Sequence, residues 1–588
     1  MVALSTAVDP NAVARVIGIK TTFQNLRGGV PFLPIRIGVI GQGATASQAS
    51  YDTTKTTILS AKAVGDAYGY GSPLHLAVKQ LLPPTGDGVG IIPVTIYPLK
   101  GDGAGVAAAG TITPSGTQTT QASYKILINK IASLSFVLDV GDVLADALAA
   151  IIPAINGVID MPVIASYGGT SSTGGVAGAG NTGNGTMGAV TPTEPNAIGG
   201  DYELVCTNAA VSGSEIFSVT DPSGVALPDL TVGVAYSGHF VTTLADGVDD
   251  FIVGDTWTIP VVSTEADLTA KWKGVSGNDI YAELDGTAAG VAFAFVQPTG
   301  GLVEPNVDTA TAQVGDVWDT FFVNCLSVSD IATLTKYTAF FDARWGALSR
   351  KPAIVFSGET ESTVATAYAT AAARTTDRIN CQIDGVGSYN LPFVIAAKAV
   401  AKIAVIANNN PPIDYAGQSL NGLTPGLDSE QWDYTARNSA VSNGISTIEI
   451  VDNLMELSDT VTFYHPDGED PPAYRYVNDQ VKVWNILFNL GLIFESDDWK
   501  GKVLIPDGQA TSNPDARKPS DAKAAIAKMI DELALNAILS DPETAKATLQ
   551  AEISSTNPRR LDVAFTSQIS GNTGIISIDN NWGFFFGS

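Results

Sequence analysis

The residues with the most potential for chemistry are a glycine-rich turn and three histidines. Gly41-Gln42-Gly43-Ala44-Thr45-Ala46 follows an apolar run and fits the permissive dinucleotide-binding pattern G-x-G-x-x-[GA]. No acidic residue closes a second strand at the distance expected for a ribose contact, so we interpret this segment as a flexible strand-to-helix turn. His75, His239 and His465 lie in different segments and show neither metal-ligand nor catalytic-triad spacing. These residues therefore predict no catalytic site and no cofactor.

A short run of aspartates is the strongest candidate for a metal site. Asp246, Asp249, Asp250 and Asp255 offer the hard oxygen ligands that Ca²⁺ prefers. Their spacing does not match an EF-hand loop, and an acidic loop of a β-sandwich is usually solvated, so we expect no bound metal. A pair of carboxylates elsewhere in the chain stays open as a hydrolase site, which is the least favoured function.

Composition limits the classes of partner. The 588 residues include 32 Lys and Arg against 59 Asp and Glu, a formal net charge of −27, which argues against direct binding to nucleic acid. Cys206, Cys325 and Cys381 are odd in number and far apart, which indicates a reducing compartment rather than a disulfide framework. No run of 18 apolar residues occurs and residues 1–14 lack a secretory pattern, so we expect no membrane partner.

Strands and helices alternate at both ends of the chain. An apolar strand at Leu33 to Gly41 and a helix from Lys62 to Leu82, broken near Gly69, open an α/β layer. The same alternation returns after residue 330. It includes strands at Ala353 to Phe356, Ile379 to Ile383, Ile445 to Val451 and Thr460 to Tyr464, and helices at Leu391 to Asn408, near Ser429 to Arg437, along Val477 to Phe488, and behind a Ser520 cap. The pattern predicts one α/β core that an insertion divides.

The insertion differs in composition from the core. It is rich in Gly, Thr, Val and Ala, with short alternating strands and one helix at Val143 to Gly157. Inside it, Gly168 to Gly188 reads as a linker, and the next 75 or so residues carry period-two strands separated by turns, which predicts a small β-sandwich. We therefore expect an α+β multidomain protein with core segments 30–100 and 324–560, an inserted β-rich domain at 101–167 and 262–323, a nested β-sandwich at 168–261, an N-terminal linking arm at 1–29 and C-terminal linking strands at 561–588.

The two ends of the chain read as strands with no obvious partner. Arg15 to Phe23 is an extended, β-branched run, and the C-terminal segment alternates apolar with polar or small residues. A strand with unpaired main-chain groups is a template for another chain. We predict that neighbouring copies supply the missing partners. The proposed inter-subunit strand residues are Val16, Ile17, Ile19, Thr21, Phe23, Leu561, Val563, Phe565, Ile576 and Ile578.

Several segments together resemble the contractile tail sheath proteins of bacteriophages, in particular the Mu-like sheath family. The resemblance covers most of residues 10–588 and is most specific in Lys271-Trp272-Lys273-Gly274-Val275-Ser276-Gly277-Asn278-Asp279-Ile280. Ile35 to Gly43, Gly65 to Leu74 and Asn557 to Val563 also match, each weakly. Residues 183–261 resemble instead a β-module of phage structural and head-decoration proteins, which is a departure from shorter family members.

The resemblance implies a structural subunit of the virion. Sheath subunits stack as hexameric rings, helically arranged around a tail tube protein, and terminal strands join neighbouring copies. Contraction, triggered at the baseplate, drives the tube through the host envelope. The implied partners are copies of the same chain, the tube protein, and baseplate and tail terminator proteins, with assembly in the host cytoplasm.

Two other functions stay open. A surface adhesin would bind a host glycan through its Gly-rich β inserts, with exposed Tyr236, Phe240 and Trp257 as stacking faces. A phage-derived contractile particle without a genome would use the same mechanics as a virion sheath.

Overall fold

The computed structural model describes residues 30–287, 289–469 and 471–582. The predicted N-terminal linking residues Val16, Ile17, Ile19, Thr21 and Phe23 lie outside the described residues. The chain forms two compact units. One is Pro34–Val481, and the other contains residues 30–33 together with 482–582.

A seven-stranded sheet forms the centre of the unit Pro34–Val481. Its strands pair in parallel, except that the edge strand Thr56–Ile58 runs antiparallel to its neighbour. Val, Ile and Phe fill the inner strands, as expected where a parallel sheet is buried on both faces. The spatial order is Thr56–Ile58, Val94–Leu99, Ile37–Gln42, Phe321–Asn324, Ile354–Glu359, Asn380–Asp384 and Ile445–Ser446.

Helices cover this sheet. Leu334, Tyr337 and Phe341 of one helix pack on Phe322 and Val355 of the sheet. The helix Pro392–Asn409 is long and apolar enough to cross a membrane, but 72% of it is buried inside the protein, as in a core helix. The helices of this region are Ala61–Tyr68, Pro73–Leu81, Asp308–Thr311, Ile331–Arg344, Val364–Ala367, Ala369–Ala372, Pro392–Asn409 and Tyr434–Ser442, with a hairpin at Ile448–Val451 and Leu454–Leu457.

The insertion enters after Val94–Leu99 and leaves before Phe321–Asn324. The α/β core is therefore divided by β-rich insertions, as predicted. The outer part of the insertion has a helix, Leu144–Asn156, and two four-stranded sheets. Their strands are Ala292–Thr299, Ala109–Ser115, Glu265–Ala270 and Val163–Gly168 in the first, and Ala282–Asp285, Ala122–Ile128, Ile131–Ala132 and Phe136–Leu138 in the second.

The nested module has two sheets around one apolar core, which confirms the predicted β-sandwich. The first sheet contains Ser171–Ser172, Val176–Ala177, Gly200–Asn208, Ile216–Thr220, Ala226–Thr231 and Thr256–Val262. The second contains Thr186–Met187, Thr191–Pro192, Ala235–Ser237 and Phe240–Ala245. Residues 168–188 are not a linker, because three of these short strands come from them and pair with Thr256–Val262 or Phe240–Ala245.

Helices dominate the second unit. The helix Val477–Phe494 runs across the boundary at residue 482, and Pro519–Leu535 and Pro542–Thr548 follow. Residues 482–560, which the sequence places in the α/β core, group here with residues 30–33 and the C-terminal strands. Three two-stranded sheets complete the unit: Val503–Leu504 with Ala516–Arg517, Leu539–Ser540 with Gln568–Ile569, and Gln550–Ile553 with Leu561–Ala564.

Three local predictions are wrong. Ser520 does not cap its helix, which begins at Pro519, and the Asp521 carboxylate accepts from the Lys518 N–H instead. The helix expected near Ser429 begins at Tyr434, because the Asp433 side chain caps it by accepting from the Ala436 N–H. Thr460 to Tyr464 forms no strand beyond one bridge at Val461, whose N–H donates to the Ser446 hydroxyl.

Candidate functional site: the C-terminal edge strands

The C-terminal hairpin, Gln550–Ile553 with Leu561–Ala564, contains the predicted linking residues Leu561 and Val563. The strands pair antiparallel within the chain, and Asn557 to Arg560 turn between them. The cross-strand partners are Gln550 with Ala564, Ala551 with Val563, Glu552 with Asp562, and Ile553 with Leu561. One edge of the predicted linking strand Leu561–Ala564 is thus already occupied by the same molecule.

The hydrogen-bond phase of the hairpin determines which main-chain groups remain available. The Ser554 N–H donates to the Arg560 carbonyl at 2.9 Å, so these two opposed residues form a hydrogen-bonded pair. Bonded and non-bonded pairs alternate along an antiparallel ladder. Leu561 and Val563 therefore occupy non-bonded positions, and their N–H and C=O groups point to the outer edge. In the part of the chain that the structure describes, no strand pairs with that edge.

The side chains after Leu561 serve the unit's own core. Val563, Phe565 and Ile569 pack against the cluster that contains Ile530 and Leu533 of the helix Pro519–Leu535. The spacing of Val563 and Phe565 follows the strand period, which directs both to one face. These side chains hold the hairpin in place, and only main-chain groups are offered at the outer edge.

The segment 570–582 leaves this framework and carries no helix or strand. Its start is anchored, because the Ser570 N–H donates to the Ile538 carbonyl at 3.1 Å and the Lys482 ammonium donates to the Ser570 carbonyl at 2.7 Å. Beyond the anchor, Ile576 is 73% and Ile578 is 80% exposed, and Ile575 and Trp582 are also exposed. Consecutive large apolar side chains in water mark an interaction surface or an aggregation hazard.

Charges on the hairpin are partly compensated. Glu552 and Asp562 lie directly opposite each other, which is unfavourable for like charges on a sheet. The Arg560 guanidinium lies 2.6 Å from the Asp562 carboxylate and offsets this repulsion. Because these groups are exposed, the ion pair adds little stability, and the side-chain contacts to the core set the position of the hairpin.

The glycine-rich turn at 41–46 does not form a phosphate cradle. Its N–H groups are already bonded: Gly43 donates to the Tyr51 hydroxyl at 3.1 Å, Ala44 to the Tyr68 carbonyl and Thr45 to the Lys271 carbonyl, both at 2.7 Å. The turn leads into the three-residue 3₁₀ segment Thr45–Ser47, not into the α-helix that a dinucleotide site needs. The interpretation as a turn holds, although no α-helix follows directly.

The three histidines lie apart, each with its own partner. His75 is buried, accepts from the Gly71 N–H at 3.2 Å, and has its pKa lowered by that burial. The His239 Nδ1 lies 3.1 Å from the Tyr202 hydroxyl, and the His465 Nδ1 lies 2.6 Å from the Phe463 carbonyl. No two histidines share a site, so the structure brings no imidazole pair together.

The cysteines and the proposed glycan-stacking aromatics are buried. Cys206, Cys325 and Cys381 are free thiols, and burial raises the pKa of each, that of Cys381 to about 12. Such thiols are poor nucleophiles. The expectation of exposed stacking faces is wrong, because all three aromatic side chains lie in the core of the nested sandwich: Tyr236, Phe240 and Trp257.

The stretch Lys271 to Ile280, where the sequence resemblance is most specific, contributes to packing within the fold. Trp272 is buried and donates from Nε1 to the Ser276 hydroxyl at 3.2 Å. The Lys271 ammonium donates to the carbonyls of Tyr70 and Ile159 at 3.2 and 3.3 Å. This stretch therefore ties the inserted sheet to the turn between the first two helices, both within Pro34–Val481.

Comparison with known proteins gives distant structural similarity only. No family model and no curated protein matches the chain. A sheath tail protein from Listeria innocua is similar at a TM-score of 0.42 with 10% identity, covering 92% of this chain and 94% of that one. A sheath tail protein from Desulfitobacterium hafniense is similar at a TM-score of 0.39 with 12% identity, covering 95% of this chain and 100% of that one. The contracted helical sheath of the anti-feeding prophage is similar at a TM-score of 0.33 with 12% identity, covering 50% of this chain and 78% of that one. TM-scores this low assign neither a family nor a function.

Sequence reasoning missed two contributors to this surface. Gln550–Ile553 supplies the intramolecular partner strand, but its four residues do not stand out between two polar stretches. Ile575 adds to the exposed group, although it interrupts the period-two alternation that singled out Ile576 and Ile578. Three isoleucines within four residues, at 575, 576 and 578, form an apolar cluster in the sequence that could have indicated Ile575 as part of this surface.

Proposed function

We propose that this chain is a structural subunit of a contractile tail sheath, in which copies are joined by strand pairing at their termini. The observation that carries the proposal is the outer edge of Leu561–Ala564, where the main-chain groups of Leu561 and Val563 point away from their own hairpin. An edge of this kind accepts an added strand through main-chain hydrogen bonds. The exposed segment that contains Ile576 and Ile578 supplies apolar side chains for the same contact.

Such an assembly needs no catalyst. An extended sheath is metastable and contracts when its subunits slide into contacts that bury more surface, while the terminal strands keep them connected. The bonded turn at 41–46, the separated histidines and the buried thiols agree with this mechanical role. The proposed partners are other copies in stacked hexameric rings, a tail tube protein, and baseplate and terminator proteins, in the tail of a virion assembled in the host cytoplasm.

The N-terminal segment is the proposed donor of the added strand. Residues 15–23 read as an extended β-branched run, and in this proposal Val16, Ile17, Ile19, Thr21 and Phe23 lie along the outer edge of a neighbour's hairpin. The inserted domain and its nested sandwich would project away from the tube, since added modules interfere least at a surface. A sheath of a genome-free, phage-derived contractile particle would use the same contacts, and it stays the alternative to a virion sheath.

The adhesin function receives no support from the aromatic residues. Burial of Tyr236, Phe240 and Trp257 in the sandwich core removes the stacking faces that motivated it.

The exposed isoleucines provide the direct test of the proposal. We expect the double variant I576S/I578S to stay monomeric, because it loses about 1.5–3 kcal/mol of burial per side chain at the contact. The folded unit should be unaffected, since both side chains are exposed. Negative-stain microscopy and sedimentation of the purified full chain measure the outcome.

A matched double variant controls for the loss of surface apolar groups. I91S/L348S removes two side chains that are 96% and 97% exposed in the unit Pro34–Val481, and it should form tubes like the unchanged protein. Normal tubes from I576S/I578S would refute the role of this segment.

A further inference from the structure

One end of the nested sandwich holds three carboxylates close together. One carboxylate oxygen from each of Glu215, Asp246 and Asp250 lies within 4.8 Å of the other two. Glu215 directly precedes the strand Ile216–Thr220, and Asp246 directly follows Phe240–Ala245. Two connections from opposite sheets of the sandwich thus meet at this cluster.

Glu215 distinguishes this cluster from an ordinary acidic surface. Its side chain is only 1% exposed, and its Oε1 accepts from the Gly213 N–H at 3.2 Å. Its Oε2 is buried and has no hydrogen-bond partner among the described residues, while the carboxylate faces those of Asp246 and Asp250. A buried carboxylate oxygen without a hydrogen-bond partner is unfavourable, and two further carboxylates beside it add repulsion. A cation would remove both costs.

The closeness of the three oxygens and the kind of ligand they offer favour a calcium ion. Oxygens on opposite sides of an ion are at most twice the metal–oxygen distance apart, which is about 4.6–5.2 Å for Ca²⁺ and about 4.0–4.2 Å for Mg²⁺. Oxygens that all lie within 4.8 Å of one another are therefore close enough to share one Ca²⁺ ion. Carboxylate oxygens with water completing the shell are ligands that Ca²⁺ accepts, and flexible geometry suits the two exposed aspartates.

The neighbouring aspartates have other roles. Asp255 is buried and accepts the N–H groups of Thr182, Gly183 and Ile252 at 2.9, 2.9 and 3.1 Å. The Asp249 carboxylate accepts from the Asn184 amide at 2.8 Å. The run of aspartates in the sequence therefore divides, and only two of its four members face Glu215.

We propose that Glu215, Asp246 and Asp250 form a Ca²⁺ site that ties together two loops at one end of the nested β-sandwich. The Ser212 hydroxyl donates to the Asp250 carboxylate at 3.0 Å and orients it toward the site. The site goes beyond the sheath function and is independent of it, because it lies inside one chain and uses none of the terminal residues.

Calorimetric titration of the EDTA-stripped full-length protein with CaCl₂ tests the site. We expect one Ca²⁺ per chain with a dissociation constant of roughly 10⁻⁴–10⁻³ M, the weakest range known for calcium-binding modules. D246N and D250N should each weaken binding about tenfold or more. D201N removes an exposed carboxylate from another strand of the same sandwich and should bind like the unchanged protein.

Two further measurements separate a metal site from a structural role. Ca²⁺ should slow hydrogen exchange in residues 208–215 and 246–255 of the unchanged protein and not of D250N. E215Q should lose Ca²⁺ binding and yet melt at a higher temperature than the unchanged protein in EDTA, because it no longer places a third acidic group beside Asp246 and Asp250. The absence of calcium binding to the unchanged protein, unaltered affinity in D246N and D250N, or MgCl₂ binding as tightly as CaCl₂ would each overturn the proposal.

Discussion

At the scale of residues, the carboxyl ends of the central strands carry an unusual pair of acids. Glu359 and Asp384 lie opposite each other in register on neighbouring parallel strands. Asp384 is fully buried, its Oδ1 accepts from the Val386 N–H at 3.1 Å, and its Oδ2 has no hydrogen-bond partner among the described residues. Burial, and then the charge of Glu359, raise the pKa of Asp384 well above its ordinary value. Burial also raises the pKa of Glu359.

The raised pKa of Asp384 makes a pH-dependent contribution to stability. Between the ordinary pKa near 4 and the raised folded pKa, the folded state keeps a proton that the unfolded state releases, so the free energy of unfolding falls as the pH rises. D384N removes this loss. We expect the variant to match the unchanged protein near pH 4 and to melt about 2–4 °C or more above it at pH 8, the shift that about 1 kcal/mol produces in a sizeable domain. Thermal unfolding from pH 4 to 8 measures it.

E359Q is the companion variant. It removes the neighbouring charge and a second acid with a raised pKa, so it should flatten the same pH dependence. A D384N protein that loses stability equally at pH 4 and pH 8 would show that Asp384 acts through its hydrogen bond and not through its ionisation.

Single residues also show where sequence reasoning stops. Asp246 and Asp250 were recognisable because they are close along the chain, whereas Glu215 joins them only through the fold of two sheets. Ser520 has the residue type of a helix cap, but Pro519 begins the helix one position earlier and the Ser520 N–H donates to Asp507. Residue type indicates which residues could bind a metal or cap a helix, and the folded positions of the backbone decide which of them do.

At the scale of elements, side-chain periodicity predicted the positions of helices well where one face of the helix is buried. The broken helix at Ala61–Tyr68 and Pro73–Leu81 and the core helix Pro392–Asn409 lie close to their predicted bounds. Residues 168–188 were misread as a linker, because strands of only two residues are too short to show an alternating apolar pattern. Thr460 to Tyr464 shows the converse, since its β-branched residues bond to several different segments instead of one strand.

The outer edge of Leu561–Ala564 yields a prediction specific to the main chain. L561P removes an N–H group that points away from the hairpin, and proline is tolerated on an edge strand at such a position. The monomer should therefore fold, as judged by circular dichroism, while tube formation fails because one hydrogen bond to the added strand is lost and the proline ring blocks its approach. Sedimentation of the assembled fraction measures the effect.

L561A is the control for this variant. It loses the same side chain and keeps the N–H group, so it should still assemble. Assembly of L561P at the level of L561A would show that the outer edge accepts no strand. Charges placed at Val563 or Phe565 would not separate these outcomes, because both side chains pack on the core of their own unit.

At the scale of the whole molecule, changes in composition along the chain indicated the nesting of modules. The Gly- and Thr-rich insertion was predictable from its composition and its short alternating strands, and the sandwich inside it was predictable because it forms its own core. The grouping of residues 482–560 with the C-terminal strands was not predictable, since helices of both units share the same 3.6-residue period. The pairing of terminal strands between copies stays a prediction, because it needs a second molecule.

A helical reconstruction of tubes assembled from the purified full-length chain tests the central claim most directly. We predict that a strand from another copy lies along the outer edge of Leu561–Ala564, with hydrogen bonds to the main chain of Leu561 and Val563. A reconstruction in which that edge faces solvent in every copy, or in which both termini of each chain pair only within the same molecule, would contradict the account.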